Sequence, residues 1–165
     1  MSMHLFLLLA AIVPVLWAGP SRADQEPAAI AGMLAAHNAA RQEAGVPALR
    51  WSEALTESAR RLAETLRGGG CNMRHSSARG IGENLAWASG QTMSPAQVVG
   101  MWVDEKRHFD AARNRCAQGA VCGHYTQVVW RTTSEVGCAK ASCGRSEVWV
   151  CQYTPPGNFV GQRPF

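Results

Sequence analysis

The chain has 165 residues, 47% of them apolar, which suits one domain with a substantial core. Its formal charge is +4, from 16 basic against 12 acidic residues scattered without a like-charge run. Such a modest excess leans weakly towards anionic surfaces and speaks against a nucleic-acid binder, which needs a dense basic stripe.

The first element is a targeting segment. Leu5 to Ala18 is nearly all apolar but shorter than the roughly 20 residues that span a bilayer. Ser21-Arg22-Ala23 puts small residues at the positions a signal peptidase reads, so the expected cut follows Ala23. Residues 24–165 would then form one mature domain, secreted or, in a bacterium, periplasmic. Loss of Arg22 leaves 15 basic against 12 acidic residues, or +3. No later stretch is apolar and long enough to cross a membrane. Six cysteines follow: Cys71, Cys116, Cys122, Cys138, Cys143 and Cys151. An even count in an exported chain reads as three disulfides, and the lack of any Cys-x-x-Cys pair speaks against a zinc ribbon. Spacing alone leaves their connectivity open.

A helix is expected over 28–44, with Ile30, Met33, Leu34, His37 and Arg41 near one face and Gly45 as its stop. Ser52 is a natural N-cap for a second helix, whose buried stripe is Leu55, Ala59, Leu62, Ala63 and Leu66 and whose end is Gly68-Gly69-Gly70. Residues 71–90 read as a loop of about 20 residues, long enough to suggest function or disulfide pinning. Within it, Ala86-Trp87-Ala88, with Met93 beyond, could form an apolar cover over a groove, or could simply pack. A third helix starts at Ser94-Pro95 and runs to about His108, placing Trp102 and Glu105 on one face. An acid beside a buried tryptophan needs a partner.

After a second loop, 111–122, three strands are predicted at Tyr125–Arg131, Glu135–Lys140 and Glu147–Tyr153, joined by short turns as antiparallel neighbours. VCGHYTQVVWR (Val121–Arg131) reads as the central strand, with His124 at its entrance. The proline-rich tail from Thr154 to Phe165 continues neither a strand nor a helix. Helices first and strands last indicate an α+β domain.

Outside the leader the histidines are His37, His75, His108 and His124. His75 and His124 lie in cysteine-bounded loops, and Glu83 and Glu105 stand out by context. Two imidazoles and two carboxylates could make a metal site, an acid–base pair, or a charged network that only fixes the loops. No nucleophile is evident, since Cys122 beside His124 is expected in a disulfide.

The segments HNAARQEAGVPALRW, GENLA, MWVDEKRHFD, CGHYTQVVWR, VGCAKASC and CQYTPPGNFVGQRPF together resemble the CAP superfamily: cysteine-rich secretory proteins, antigen 5 and class-1 pathogenesis-related proteins. The plant branch is the nearest. The resemblance implies an α-β-α sandwich around a three-stranded antiparallel sheet. It implies a cation-binding tetrad of His75, Glu83, Glu105 and His124 at the floor of a cleft, with the two histidines as metal ligands and Zn2+ held weakly. It also implies the pairs Cys71–Cys143, Cys116–Cys122 and Cys138–Cys151, and a structural His37. The function it implies is a non-enzymatic, monomeric binding module for sterols or other lipids, with peripheral membrane contact and an antimicrobial or host-interaction role. One alternative is a zinc-dependent peptidase using Glu83 or Glu105 as general base, with Thr126 and Gln127 positioning substrate. Another is release of the tail Pro155–Phe165 as a signalling peptide, although Gln152 and Phe165 depart from the family's asparagine and tyrosine.

Overall fold

The structure is a computed structural model that describes residues 25–165, so the leader and its expected cut lie outside the described residues. The first helical stretch is broken. A 3-10 turn at Ala28–Ile30 precedes α1 (Met33–Glu43), and the break falls at Gly32, whose φ is 100°. The Glu26 carboxylate accepts the backbone N–H of Gly32 and Leu34 there. A short strand, β1 (Arg50–Trp51), leads into α2 (Glu53–Gly68), capped by the Ser52 hydroxyl. After β2 (Gly82–Ser89), α3 (Pro95–Val103) starts from a complete Ser94/Gln97 capping box. It continues as a 3-10 turn over Asp104–His108. A small pair, β3 (Phe109–Asp110) with β4 (Arg115–Cys116), precedes α4 (Gly123–Val128), β5 (Glu135–Cys143) and β6 (Ser146–Thr154).

The main sheet has the order β1-β5-β6-β2. Its three long strands are antiparallel, and β1 adds a two-residue parallel rung. The three-stranded antiparallel core is therefore present, but β2 supplies the third strand, not Tyr125–Arg131. Residues 71–90 were expected to be loop throughout, yet their second half is this edge strand. The alternation was there to read: Gly82, Asn84, Ala86 and Ala88 face one side, and Glu83, Leu85 and Trp87 the other. It lacked the β-branched residues that mark strands.

The VCGHYTQVVWR strand is instead the short helix α4. Every residue from Tyr125 to Trp130 is buried, so the alternation marked no solvent side. Two side chains from elsewhere hold the helical conformation. Glu105 accepts the N–H groups of His124 and Tyr125 at its start. Arg41, wholly buried, donates to the carbonyl of Val128 at its end, to those of Trp130 and Thr133 beyond it, and to that of Pro47. Burial pulls the Arg41 guanidinium down to about 10, so it remains charged at neutral pH.

The sheet separates two cores. On one face α1, α3 and α4 bury Met33, Val98, Trp102 and Val128 against Val136, Trp149 and Tyr153. On the other, α2 packs Ala59, Ala63 and Leu66 onto Leu85, Ala139 and Val150. This is the α-β-α sandwich. Three disulfides join Cys71 to Cys143, Cys116 to Cys122 and Cys138 to Cys151. The last links directly opposed residues of β5 and β6. Among the described residues no helix is long and apolar enough to cross a membrane.

Candidate functional site

Glu83 opens the edge strand, and its carboxylate gathers four donors. Oε1 accepts the Ser76 backbone N–H at 3.0 Å and lies 2.7 Å from His75 Nδ1; Oε2 accepts the Ser76 hydroxyl at 2.8 Å and Gln152 Nε2 at 3.0 Å. Burial pushes this carboxyl up, but the bonds from Gln152, Ser76 and His75 outweigh it and hold Glu83 below the usual carboxylate range. His75 itself is largely solvent-facing, its side chain 62% exposed. Because a carboxylate can only accept, Nδ1 donates in this contact and Nε2 is the ring nitrogen it leaves unused.

The second pair is built the same way. Glu105 leaves the end of α3 on the 3-10 turn and reaches the start of α4, where Oε1 lies 2.6 Å from His124 Nδ1. Its Oε2 accepts the two helix-start N–H groups. The His124 ring stacks on Trp102, 6.4 Å between centroids and 16° between planes. Glu105 thus has the partner its position beside Trp102 demanded.

Among the described residues no hydrogen bond joins one His–Glu pair to the other directly. Alternation along β2 sends Glu83 to the α2 face and Asn84 to the opposite face. There the Asn84 amide donates to the carbonyl of His124 at 3.1 Å and to the Tyr153 hydroxyl at 3.3 Å. Each pair is thus fixed by its own hydrogen bonds, beside the strand end where β2 and α4 lie close. Gly82 permits this closeness: a Cβ there would lie 2.1 Å from the Gln127 side chain of α4.

His37 belongs to the support of this site. It is fully buried, with Nδ1 2.8 Å from the Met33 carbonyl and Nε2 2.8 Å from the Tyr153 hydroxyl. A buried chain of hydrogen bonds thus runs from α1 through His37, Tyr153 and Asn84 to the backbone of His124. Burial, reinforced by nearby Arg41, lowers His37 to about 4 although the Met33 bond opposes it, so the ring is neutral at physiological pH. His108 is exposed and stands apart from both pairs.

Thr126 and Gln127, expected to position a substrate, are buried and engaged in holding the tail. The Thr126 hydroxyl meets Asn158 Oδ1 at 2.6 Å, and Gln127 Oε1 accepts the Gly157 N–H. Met93 and the Ala86–Ala88 segment form no cover over a groove. Met93 is buried with its N–H on the Glu147 carboxylate, Ala86 and Ala88 face the core, and Trp87 alone turns outward, 46% exposed. Ser76, Asn84, Gln152 and Tyr153 were missed as site supports; Asn84 lies inside the GENLA motif, where it could have been found. The Gln152 Oε1 atom is buried without a partner among the described residues.

As a metal centre the donor set is thin. Among the described residues no group of three or more His, Cys, Asp or Glu side chains is arranged to hold an ion. What the pairs offer is two imidazoles, each oriented through Nδ1 by a carboxylate, as outer-shell acids orient metal-binding histidines. The family model of the cysteine-rich secretory proteins matches residues 34–153. The chain belongs to that family. Pathogenesis-related protein 1B of Nicotiana tabacum is 48% identical over 133 residues, covering 80% of this chain and 78% of its own length. Pathogenesis-related protein 1 of Arabidopsis thaliana is 44% identical over 147 residues, covering 88% and 86%. Among solved structures, the venom allergen-like protein 4 of Schistosoma mansoni superposes with a TM-score of 0.70 at 22% identity, over 84% of this chain and 94% of its own. NaASP2, solved with Zn2+, superposes at 0.67 and 23% identity over 90% of each. At such identities these structures support the CAP fold alone. The fold and the kinship with plant class-1 pathogenesis-related proteins thus agree from independent directions.

Proposed function

We propose that this CAP protein is an exported, non-enzymatic binding module, released after Ala23, that takes a sterol or similar lipid and holds a divalent cation weakly at His75 and His124. The observation that carries the reading is the commitment of both carboxylates. Glu83 already accepts four hydrogen bonds and Glu105 three, all from the protein. A general base needs a lone pair aimed at substrate, whereas these acids orient imidazoles and cap backbone. Cys122 is oxidised and Thr126 is buried, so neither is placed to act as a nucleophile. Zn2+ suits the two free imidazole nitrogens; with only two strong protein ligands it would bind weakly, and it would supply Lewis acidity when bound. Export is supported by three disulfides and by the plant relatives.

The lipid part of the reading rests on family membership and on an open cavity of about 680 Å3 beside β1, bordered by Leu34, Leu49 and Trp51 together with the charged Arg50, Glu53 and Glu135. That size suits a sterol-sized ligand. The test is titration of the oxidised protein with a fluorescent sterol, alongside incubation of a peptide mixture with added zinc. Saturable sterol binding without peptide cleavage is expected. Zinc-dependent cleavage that disappears when His75→Ala and His124→Ala are combined would replace this reading with a metallopeptidase.

A further inference from the structure

Another face of the molecule is built from two stretches, 111–131 and the tail 155–165. With Phe109 of β3 they enclose an open groove of about 360 Å3 whose walls include Ala120, Trp130, Phe159 and Pro164. Gly123 and Thr126 of α4 border it, while His124 does not. Both asparagine amides that edge the groove are engaged internally: Asn114 donates to the Gln162 carbonyl and Asn158 to the Gly123 carbonyl. The groove therefore offers a visitor mainly apolar surface. Beside it three apolar side chains project: Val121 is 59% exposed, Phe159 48% and Val160 102%. Val121 stands on the ring closed by Cys116–Cys122, and Phe159 on a tail turn that packs Gly157 against Trp130. Both tips are thus held in place.

The charge on this face is mainly positive. Residues 111–131 and 155–165 contain Arg113, Arg115, Arg131 and Arg163 and no Asp or Glu. Arg113 is paired with Asp110, and Arg163 is turned to the carbonyls of Ala111 and Ala112. Arg115 and Arg131 are exposed, and among the described residues neither has a carboxylate within ion-pair distance. The opposing charge is Asp110, which lies across the β3–β4 pair from Arg115 and is held by Arg113.

Apolar tips on fixed loops, flanked by free guanidinium groups, match a surface that yields around side chains and carries phosphates. We propose that this face docks on an anionic lipid bilayer, with Val121, Phe159 and Val160 entering the headgroup layer and Arg115 and Arg131 meeting lipid phosphates. Amphipathic interfacial attachment combines these two contributions. The site is separate from the His–Glu pairs and does not depend on what they bind.

Flotation with vesicles tests it, using the oxidised protein without residues 1–23, since both cores and all three disulfides lie within the described residues. Vesicles of phosphatidylcholine mixed with phosphatidylglycerol should carry the protein, those of phosphatidylcholine alone should not, and added salt should release it. Arg115→Gln with Arg131→Gln should lower partitioning roughly 30-fold, about five- to six-fold for each arginine. Phe159→Asp with Val160→Asp should abolish it. All four positions are exposed, so both variants are expected to fold. Absence of binding to the mixed vesicles, equal binding to neutral ones, or wild-type binding by both double variants would overturn the proposal.

Discussion

At the scale of single residues, the chemistry is set by which nitrogen each histidine has free. Glu83 and Glu105 accept hydrogen bonds from Nδ1 of His75 and His124, and Glu105 also closes the start of α4. Replacing Glu105 by alanine leaves three donors without an acceptor; we predict a loss of about 2–4 kcal/mol, measurable by urea unfolding. His37 gives a pH prediction. Its folded value of about 4 lies below the ordinary 6.5, so the unfolded chain takes up this proton first as pH falls. The stabilisation is complete above about pH 6.5 and is lost towards pH 4, a change of about 3 kcal/mol. Glu83 adds to the slope lower down: its stabilisation is present above the ordinary carboxylate pKa, about 4.3, and is lost as pH falls through its depressed folded value. In His37→Gln the segment between pH 6.5 and 4 should flatten. An unchanged slope in that variant would assign the effect to other groups.

Among the elements, the helices were legible because their signals are local. Ser52, the glycines after α2 and the Ser94-Pro95 cap mark their ends in the sequence itself. The α4 segment was misread because its cause is remote: Arg41, far back in the chain, fixes its last carbonyls, and burial on every side erases the helical period. The edge strand β2 was missed because small and polar residues occupy it. Two substitutions follow. Arg41→Met removes the donors to four carbonyls and should cost several kcal/mol, with loss of α4 seen first in amide hydrogen exchange at Tyr125–Val129. Gly137→Ala should cost at least about 1–3 kcal/mol, because its Cβ would sit 2.3 Å from the Thr56 nitrogen and 2.5 Å from the Ser52 carbonyl oxygen, backbone atoms that cannot swing aside. An unfolding midpoint for Gly137→Ala equal to that of the parent would mean that α2 does not rest on β5 as closely as described.

For the whole molecule, the layered α-β-α plan follows from a sheet with a core on each face, and the motif resemblance anticipated it. The four site residues were named from the motifs, but their arrangement was not legible. Glu83 and Asn84 are neighbours in sequence, yet strand alternation sends them to opposite faces, so that Glu83 holds His75 while Asn84 supports the backbone of His124. The tail, too, is better tied than its prolines suggested: Arg131 N–H donates to the Pro164 carbonyl, and the Phe165 ring lies 6.2 Å from Phe109 and 6.4 Å from Tyr125. Release of Pro155–Phe165 as a peptide would have to break these contacts. The central claim is that the pairs serve to present two imidazoles to a cation. The most direct test is calorimetric titration of Zn2+ into the oxidised protein beside a variant carrying both His75→Ala and His124→Ala. The account predicts weak, saturable uptake by the parent protein, lost in the double variant while its unfolding midpoint is retained. Equal uptake by the variant, or none by the parent, would contradict it.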